Sequence, residues 1–220
     1  MEAPVMSITR NCSLVLLGDS YTTFAGHIPE GNFIFYPRLE AVPDVTDVEM
    51  TWWKQLIHMR DLRLLCNESS SGTTISTRVR EVHTPKDAFI SRMKRVLGPD
   101  GVNGEKPELI LIMGGTNDSW IGNEAGELQF EGWTDDTLLQ VLPAACYMLD
   151  YITAHNPDAS ILFMLNTGLR EEISEGLAAA CAHYGVPLLQ LQDISKKSGH
   201  PDVTGMKQIA EQTDRALDAL

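Results

Sequence analysis

Apolar residues along the chain fall into short continuous runs separated by stretches of helical period. Leu14–Leu17 is a four-residue apolar run that stops at Gly18, where Asp19, Ser20 and Tyr21 follow at once. Leu62–Cys66, Leu109–Met113, Ser160–Leu165 and Pro187–Leu191 are further runs of strand length, with Leu109–Met113 the most uniformly apolar. Between them the spacing predicts helices. In Thr51–Met59, Trp52, Leu56 and Met59 share one face behind Thr51 as N-cap. In Asp87–Leu97, Phe89, Ile90, Met93, Val96 and Leu97 repeat behind Asp87, and Gly98-Pro99 ends the helix. Thr134–His155 reads as one long helix kinked at Pro143, Glu171–Tyr184 as a helix closed by Gly185, and Val203–Leu220 as a last helix.

Strands that alternate with helices, and that are apolar on both faces, specify a parallel sheet covered by helices on each side. No repeat or low-complexity linker interrupts the pattern, so residues 1–220 are expected to form a single domain. In such sheets, reactive groups gather beyond the carboxyl ends of the strands. Gly18-Asp19-Ser20 follows the first strand, and Asn67-Glu68-Ser69-Ser70-Ser71-Gly72 the second. Gly114-Gly115-Thr116-Asn117-Asp118 follows the third, and a loop ending Ser198-Gly199-His200-Pro201 the last. One end of the sheet therefore collects a serine, a glycine turn, an asparagine and a histidine. A serine hydroxyl becomes nucleophilic when a histidine takes its proton, and acyl transfer needs N–H donors aimed at the developing oxyanion. Ser20, His200, Gly72 and Asn117 are the residue types that chemistry requires. Each taken singly is an ordinary turn residue, and the signal is their joint placement. Asp19 and Asp118 read as turn ties that accept backbone N–H bonds.

These blocks resemble the SGNH (GDSL-like) hydrolases. Gly18-Asp19-Ser20-Tyr21 resembles the family's GDS(L) block, Gly115-Thr116-Asn117-Asp118 its G-x-N-D block, and His200-Pro201 its histidine block, while Gly72 stands where the family has its oxyanion glycine. The resemblance implies a flavodoxin-like three-layer α/β/α sandwich with about five parallel strands. It also implies ester hydrolysis through an acyl-serine, with Ser20 as nucleophile and His200 as base. The oxyanion hole would be the Ser20 N–H, the Gly72 N–H and the Asn117 side chain. Tyr21 replaces the family's leucine. Lys197 occupies the position, three residues before the histidine, where the family usually has an aspartate. A cation cannot accept the second imidazole hydrogen bond, so Lys197 is expected to point to solvent. The acceptor is then a main-chain carbonyl or water, Asp193 or Asp202.

Composition narrows the partners. The net charge is −13, which disfavours nucleic acid and anionic lipid and makes neutral sugars or small esters the easier substrates. No apolar run is long enough to span a membrane. The beginning, MEAPVMSITRNCS, lacks the basic and apolar regions of a secretory signal, so a cytoplasmic protein is expected unless a leader preceded it. Cys12, Cys66, Cys146 and Cys181 are widely spaced in apolar stretches and read as buried free thiols, or as a disulfide in an exported protein. The histidines form no metal-binding pattern, and neither metal nor cofactor is expected. Aromatics cluster in two long connections: Phe33, Phe35 and Tyr36 before Trp52 and Trp53, and Trp120, Phe130 and Trp133 after the G-x-N-D block. They would either wall a substrate pocket or anchor the loops to the core. The mix of aromatic and polar loop residues favours a carbohydrate O-acetyl esterase. A lipase or thioesterase for longer acyl chains, and a non-catalytic glycan-binding relative, are the alternatives.

Overall fold

The computed structural model describes residues 11–220; most of the segment inspected for a secretory signal lies outside them. Five strands, β1 (Ser13–Gly18), β2 (Arg63–Ser69), β3 (Leu109–Met113), β4 (Ser160–Leu165) and β5 (Leu188–Gln190), form a parallel sheet in the order β2-β1-β3-β4-β5. This is the flavodoxin-like order, expected from the resemblance, and its reversal point lies between β1 and β3. Five helices of two turns or more cover it: α1 (Trp52–Arg60), α2 (Phe89–Val96), α4 (Val141–His155), α5 (Glu171–His183) and α6 (Val203–Leu217), while the one-turn helix α3 (Thr116–Trp120) leaves the end of β3.

Side-chain alternation along the strands divides the core in two. Leu14 and Leu16 of β1, with Leu109 and Leu111 of β3, face the side covered by α1 and α6. Val15 and Leu17, with Ile110 and Ile112, face α2, α4 and α5. Every residue of β1 and β3 is buried, which is why these runs are continuously apolar.

Several boundaries differ from the sequence expectation. β2 runs on to Ser69, so Asn67, Glu68 and Ser69 belong to the strand and only Ser70–Gly72 turn away from it. The helix expected from Thr134 begins at Val141, after a 3₁₀ turn at Thr137–Leu139 and an extended Gln140. Pro143 therefore sits in its first turn, where a missing N–H costs no intrahelical bond, and no kink arises. Asp87 caps a 3₁₀ turn, Pro85–Asp87, in partnership with Thr84; α2 starts two residues later behind Ala88. Thr51 occupies the N-cap position of α1 but bonds back to Val48 instead of capping, and Met59 is exposed rather than on the buried face. All four cysteines are free thiols; Cys12, Cys146 and Cys181 are buried and Cys66 is half-buried. Among the described residues no helix is long and apolar enough to cross a membrane.

Candidate active site

The carboxyl ends of β1, β2 and β3, with a hairpin after β5, deliver Ser20, Gly72, Asn117 and His200 to one cleft of about 420 Å³. Ser20 Oγ lies 2.9 Å from His200 Nε2 although 180 residues separate them. The histidine is presented by two short antiparallel strands, β6 (Lys196–Lys197) and β7 (His200–Pro201). The turn between them is Ser198-Gly199, with φ of 48° and 77°. Two successive left-handed residues make the tight turn whose twist suits a hairpin. This hairpin was not legible as strands, because two residues per strand show no periodicity.

Ser198 also supplies the acceptor for the second imidazole nitrogen, its carbonyl lying 3.1 Å from His200 Nδ1. Neither carboxylate candidate bonds the ring. Asp202 is committed to the N-terminus of α6, where it accepts from Gly205 N at 2.9 Å and from Ser195 Oγ at 2.8 Å. Asp193 sits in a left-handed turn (φ 50°) that borders a separate surface depression between β5 and α6. Lys197 points away from the imidazole and pairs with Asp44 on the surface.

The ring of Phe35 stacks on His200 with centroids 3.6 Å apart, and Trp120 approaches it edge-on at 5.8 Å. Tyr21 OH donates to Gly199 O at 2.6 Å, and Tyr36 OH donates to Pro201 O at 2.6 Å, so two buried hydroxyls hold the hairpin from below. Burial pushes the His200 pKa down to about 4; the Ser198 carbonyl opposes the shift, and the cations Arg38 and Lys196 add to it. The imidazole is therefore neutral near pH 7, as a general base must be.

The donors expected for an oxyanion lie around Ser20. Asn117 Nδ2 donates one hydrogen to Thr73 O at 3.0 Å, which fixes the amide and leaves its second hydrogen free. Gly72 has φ +78°, and a Cβ there would come 2.7 Å from His83 Nε2, so the position requires glycine. Among the described residues, the N–H groups of Ser20 and Gly72 have no protein acceptor.

Asp118 is buried and ties this loop in place, accepting from Ile75 N (2.8 Å), Ser76 N (3.3 Å) and Ser76 Oγ (2.9 Å). Asp19 accepts from Tyr21 N at 3.1 Å, and burial raises its pKa to about 6. A residue not singled out from sequence joins the strand ends: Arg92 of α2 is fully buried and donates to Gly18 O (3.0 Å), Thr73 Oγ1 (3.0 Å), Asp87 O (2.8 Å) and Glu68 O. Desolvation lowers its pKa to about 10, so it remains a cation. Its signal was an arginine inside the apolar stripe of α2, between Phe89 and Val96.

The two aromatic clusters divide by role. Phe33, Phe35 and Trp120 line the cleft. Tyr36, Trp52 and Trp53 are buried anchors. Phe130 stacks on His183 and Trp133 packs on Tyr147, away from the cleft.

The parallel α/β sheet thus carries a hydrogen-bonded serine–histidine pair at its reversal point. The chain belongs to the GDSL-like lipase/acylhydrolase family, whose model matches residues 12–217. Similar solved structures include two provisionally named GDSL-like lipases. One is from Bacteroides ovatus, with 41% identity, covering 95% of this chain and 99% of that one, with a TM-score of 0.86. The other is from Bacteroides uniformis, with 38% identity, covering 96% and 97%, with a TM-score of 0.87. An acetyl xylan esterase of Butyrivibrio proteoclasticus shares the fold at 15% identity, covering 100% of this chain and 66% of its own, with a TM-score of 0.60. No curated protein matches the sequence.

Proposed function

We propose that the protein is a serine ester hydrolase that removes O-acyl groups, acetyl above all, from carbohydrates or small esters through an acyl-serine. The observation that carries this reading is the Ser20 Oγ–His200 Nε2 hydrogen bond of 2.9 Å inside the cleft. His200 takes the hydroxyl proton as Ser20 Oγ bonds to the ester carbonyl carbon. The carbonyl oxygen gains the negative charge and meets the N–H groups of Ser20 and Gly72 and the Asn117 amide. Collapse expels the alcohol, which takes the proton from His200. A water then loses a proton to His200 and attacks the acyl carbon. As the acid leaves, the proton returns to Ser20.

The cleft supports a short acyl group on a polar alcohol. Its walls combine Phe33, Phe35 and Trp120 with Ser71, Arg38, Arg80 and His83. Exposed Ile34 and Val82 on the same rim favour a second reading, a longer acyl chain laid across them. The deciding experiment measures hydrolysis of 4-nitrophenyl acetate, butyrate, octanoate and acetylated xylan, with fluorophosphonate labelling of wild type and Ser20→Ala. Labelling of wild type alone, with acetate preferred, is the expected result. A correctly folded Ser20→Ala protein that hydrolyses these esters normally overturns the assignment of Ser20. Absence of both labelling and hydrolysis in wild type leaves a glycan-binding role instead.

A further inference from the structure

The electrostatics of the cleft run against those of the chain. The sequence has 30 acidic and 17 basic residues, yet among the described residues the cleft lining contains Arg38 and Arg80 and no aspartate or glutamate. Arg80 Nη2 donates to Asn117 Oδ1 at 3.3 Å, which sets a full positive charge one amide group away from the proposed oxyanion donor. Among the described residues Arg80 forms no ion pair. Arg38, on the His200 side, pairs with Glu40 at 2.9 Å, but both side chains are more than half exposed, so water and salt screen the pair. The same cleft is lined by Ser71, Gly72 and the buried His83, whose Nδ1 has no partner among the described residues. His200 feels the same asymmetry: its charged neighbours are Arg38 and Lys196, both opposing protonation.

A bond to Asn117 explains why Arg80, itself an exposed residue, turns its guanidinium to the cleft rim. It does not explain why no carboxylate accompanies it, in a protein where acidic residues outnumber basic ones. Donors of one sign converging on a partly enclosed cleft draw in the opposite charge, and a guanidinium fork matches a carboxylate. We infer that the substrate is itself anionic: an O-acetylated acidic sugar of the uronic acid type, whose carboxylate sits on Arg80 with Arg38 across the cleft while Ser20 attacks the acetyl group. The inference rests on the ester-hydrolase reading of the site. It replaces the neutral substrate that net charge alone suggests, because net charge averages a surface the substrate never meets.

The test compares acetate release from acetylated methyl glucuronoside and acetylated methyl glucoside, with 4-nitrophenyl acetate as a neutral reference. Wild type should favour the glucuronoside in kcat/KM by about tenfold or more, the range of one charge-assisted hydrogen bond. That preference should shrink between 50 and 500 mM salt, while the glucoside rate holds. Arg80→Gln should lower the glucuronoside-to-glucoside ratio about tenfold, and Arg80→Lys should restore part of it. The ratio is the readout because any disturbance of Asn117 affects both sugars alike and divides out. A wild-type ratio near one, a ratio unaffected by Arg80→Gln and Arg38→Gln together, or cleavage of 4-nitrophenyl acetate with neither sugar accepted overturns this inference alone. No hydrolysis of any of the three overturns the hydrolase reading with it.

Discussion

Phe35 lies flat against His200, with ring centroids 3.6 Å apart and planes 11° from parallel. The contact fixes the plane of the imidazole and keeps water from one of its faces. Desolvation is the leading cause of the depressed pKa of about 4. In wild type, kcat/KM for a neutral ester should therefore stay level as pH falls through 6.5 and lose half its value only near pH 4. Phe35→Ala lets water reach the imidazolium, which favours the charged form and raises the pKa. The acid limb should then move up to roughly pH 5 or above, toward the ordinary histidine value, with kcat falling at neutral pH. A limb that stays in place shows that Phe35 contributes packing alone.

The imidazole has a carbonyl partner in place of a carboxylate. An orienting aspartate in triad enzymes is worth up to about 10⁴ in kcat, so the arrangement is measurable. Asp202→Asn keeps an N-cap residue of comparable quality, and Asp193→Asn alters a side chain that does not bond the ring. Each should lower kcat less than about tenfold, whereas His200→Ala should be nearly inactive. A loss near 10³-fold in either asparagine variant identifies that carboxylate as a third member.

Asn117 tests the oxyanion assignment. Its amide is held by Thr73 O and Arg80, so Asn117→Ala removes an already oriented donor. The expected loss is about 10²–10³-fold in kcat with little change in KM. A change in melting temperature without a change in kcat would reduce Asn117 to a turn residue.

Arg92 joins the carboxyl ends of β1 and β2 to the loop that follows Gly72. Arg92→Met retains length but leaves the carbonyls of Gly18 and Glu68 without that donor, and removes the cation that lowers the Asp19 pKa. Deleting one buried charged partner costs about 3–5 kcal/mol, equivalent to roughly 10 °C in melting temperature for a chain of this size. Thermal unfolding measures this directly. An unchanged Tm would show that water replaces the guanidinium.

The order of chemistry-bearing residues was legible because burial on both faces makes β1 and β3 continuously apolar, and the reactive residues begin where those runs stop. Helix starts were less legible. Asp87 and Thr134 have the chemistry of caps, yet Asp87 caps a 3₁₀ turn and Thr134 precedes one, bonding to Thr137 at its start, and only tertiary packing separates such turns from helices. Arg92 was missed because an arginine at helical spacing normally faces water; its role exists only once the ends of β1 and β2 and the loop after Gly72 converge on it. The cationic cleft was missed because Arg38 and Arg80 are distant in sequence, and no composition count places them together.

Tyr21 and Lys197 are the two departures from the family pattern, and the hairpin connects them. With Lys197 turned to Asp44, the Ser198 carbonyl is the acceptor for His200 Nδ1. A carbonyl is only as well placed as its peptide, and Ser198 belongs to a two-residue turn. Tyr21 OH bonds the next carbonyl, Gly199 O, at 2.6 Å, and itself accepts from Asn166 Nδ2 at 2.9 Å. Lys196 Nζ bonds Asn166 Oδ1 at 2.8 Å, which continues the network into the first strand of the hairpin. A leucine at position 21 would fill the space and hold nothing. Tyr21→Phe preserves the ring and deletes the hydroxyl, so packing changes little while the turn loses its tether. The expected result is a fall in kcat of about tenfold, the scale of a positioning loss, with KM nearly constant and Tm lowered slightly. Tyr36→Phe removes the parallel bond to Pro201 O, and the double variant should lose more than either alone. Because these residues act through His200, the discriminating readout is the His200→Ala background, where adding Tyr21→Phe should cost no further activity. An equal tenfold loss in that background would mean that Tyr21 acts independently of the imidazole, and the proposed link between the two departures would be wrong.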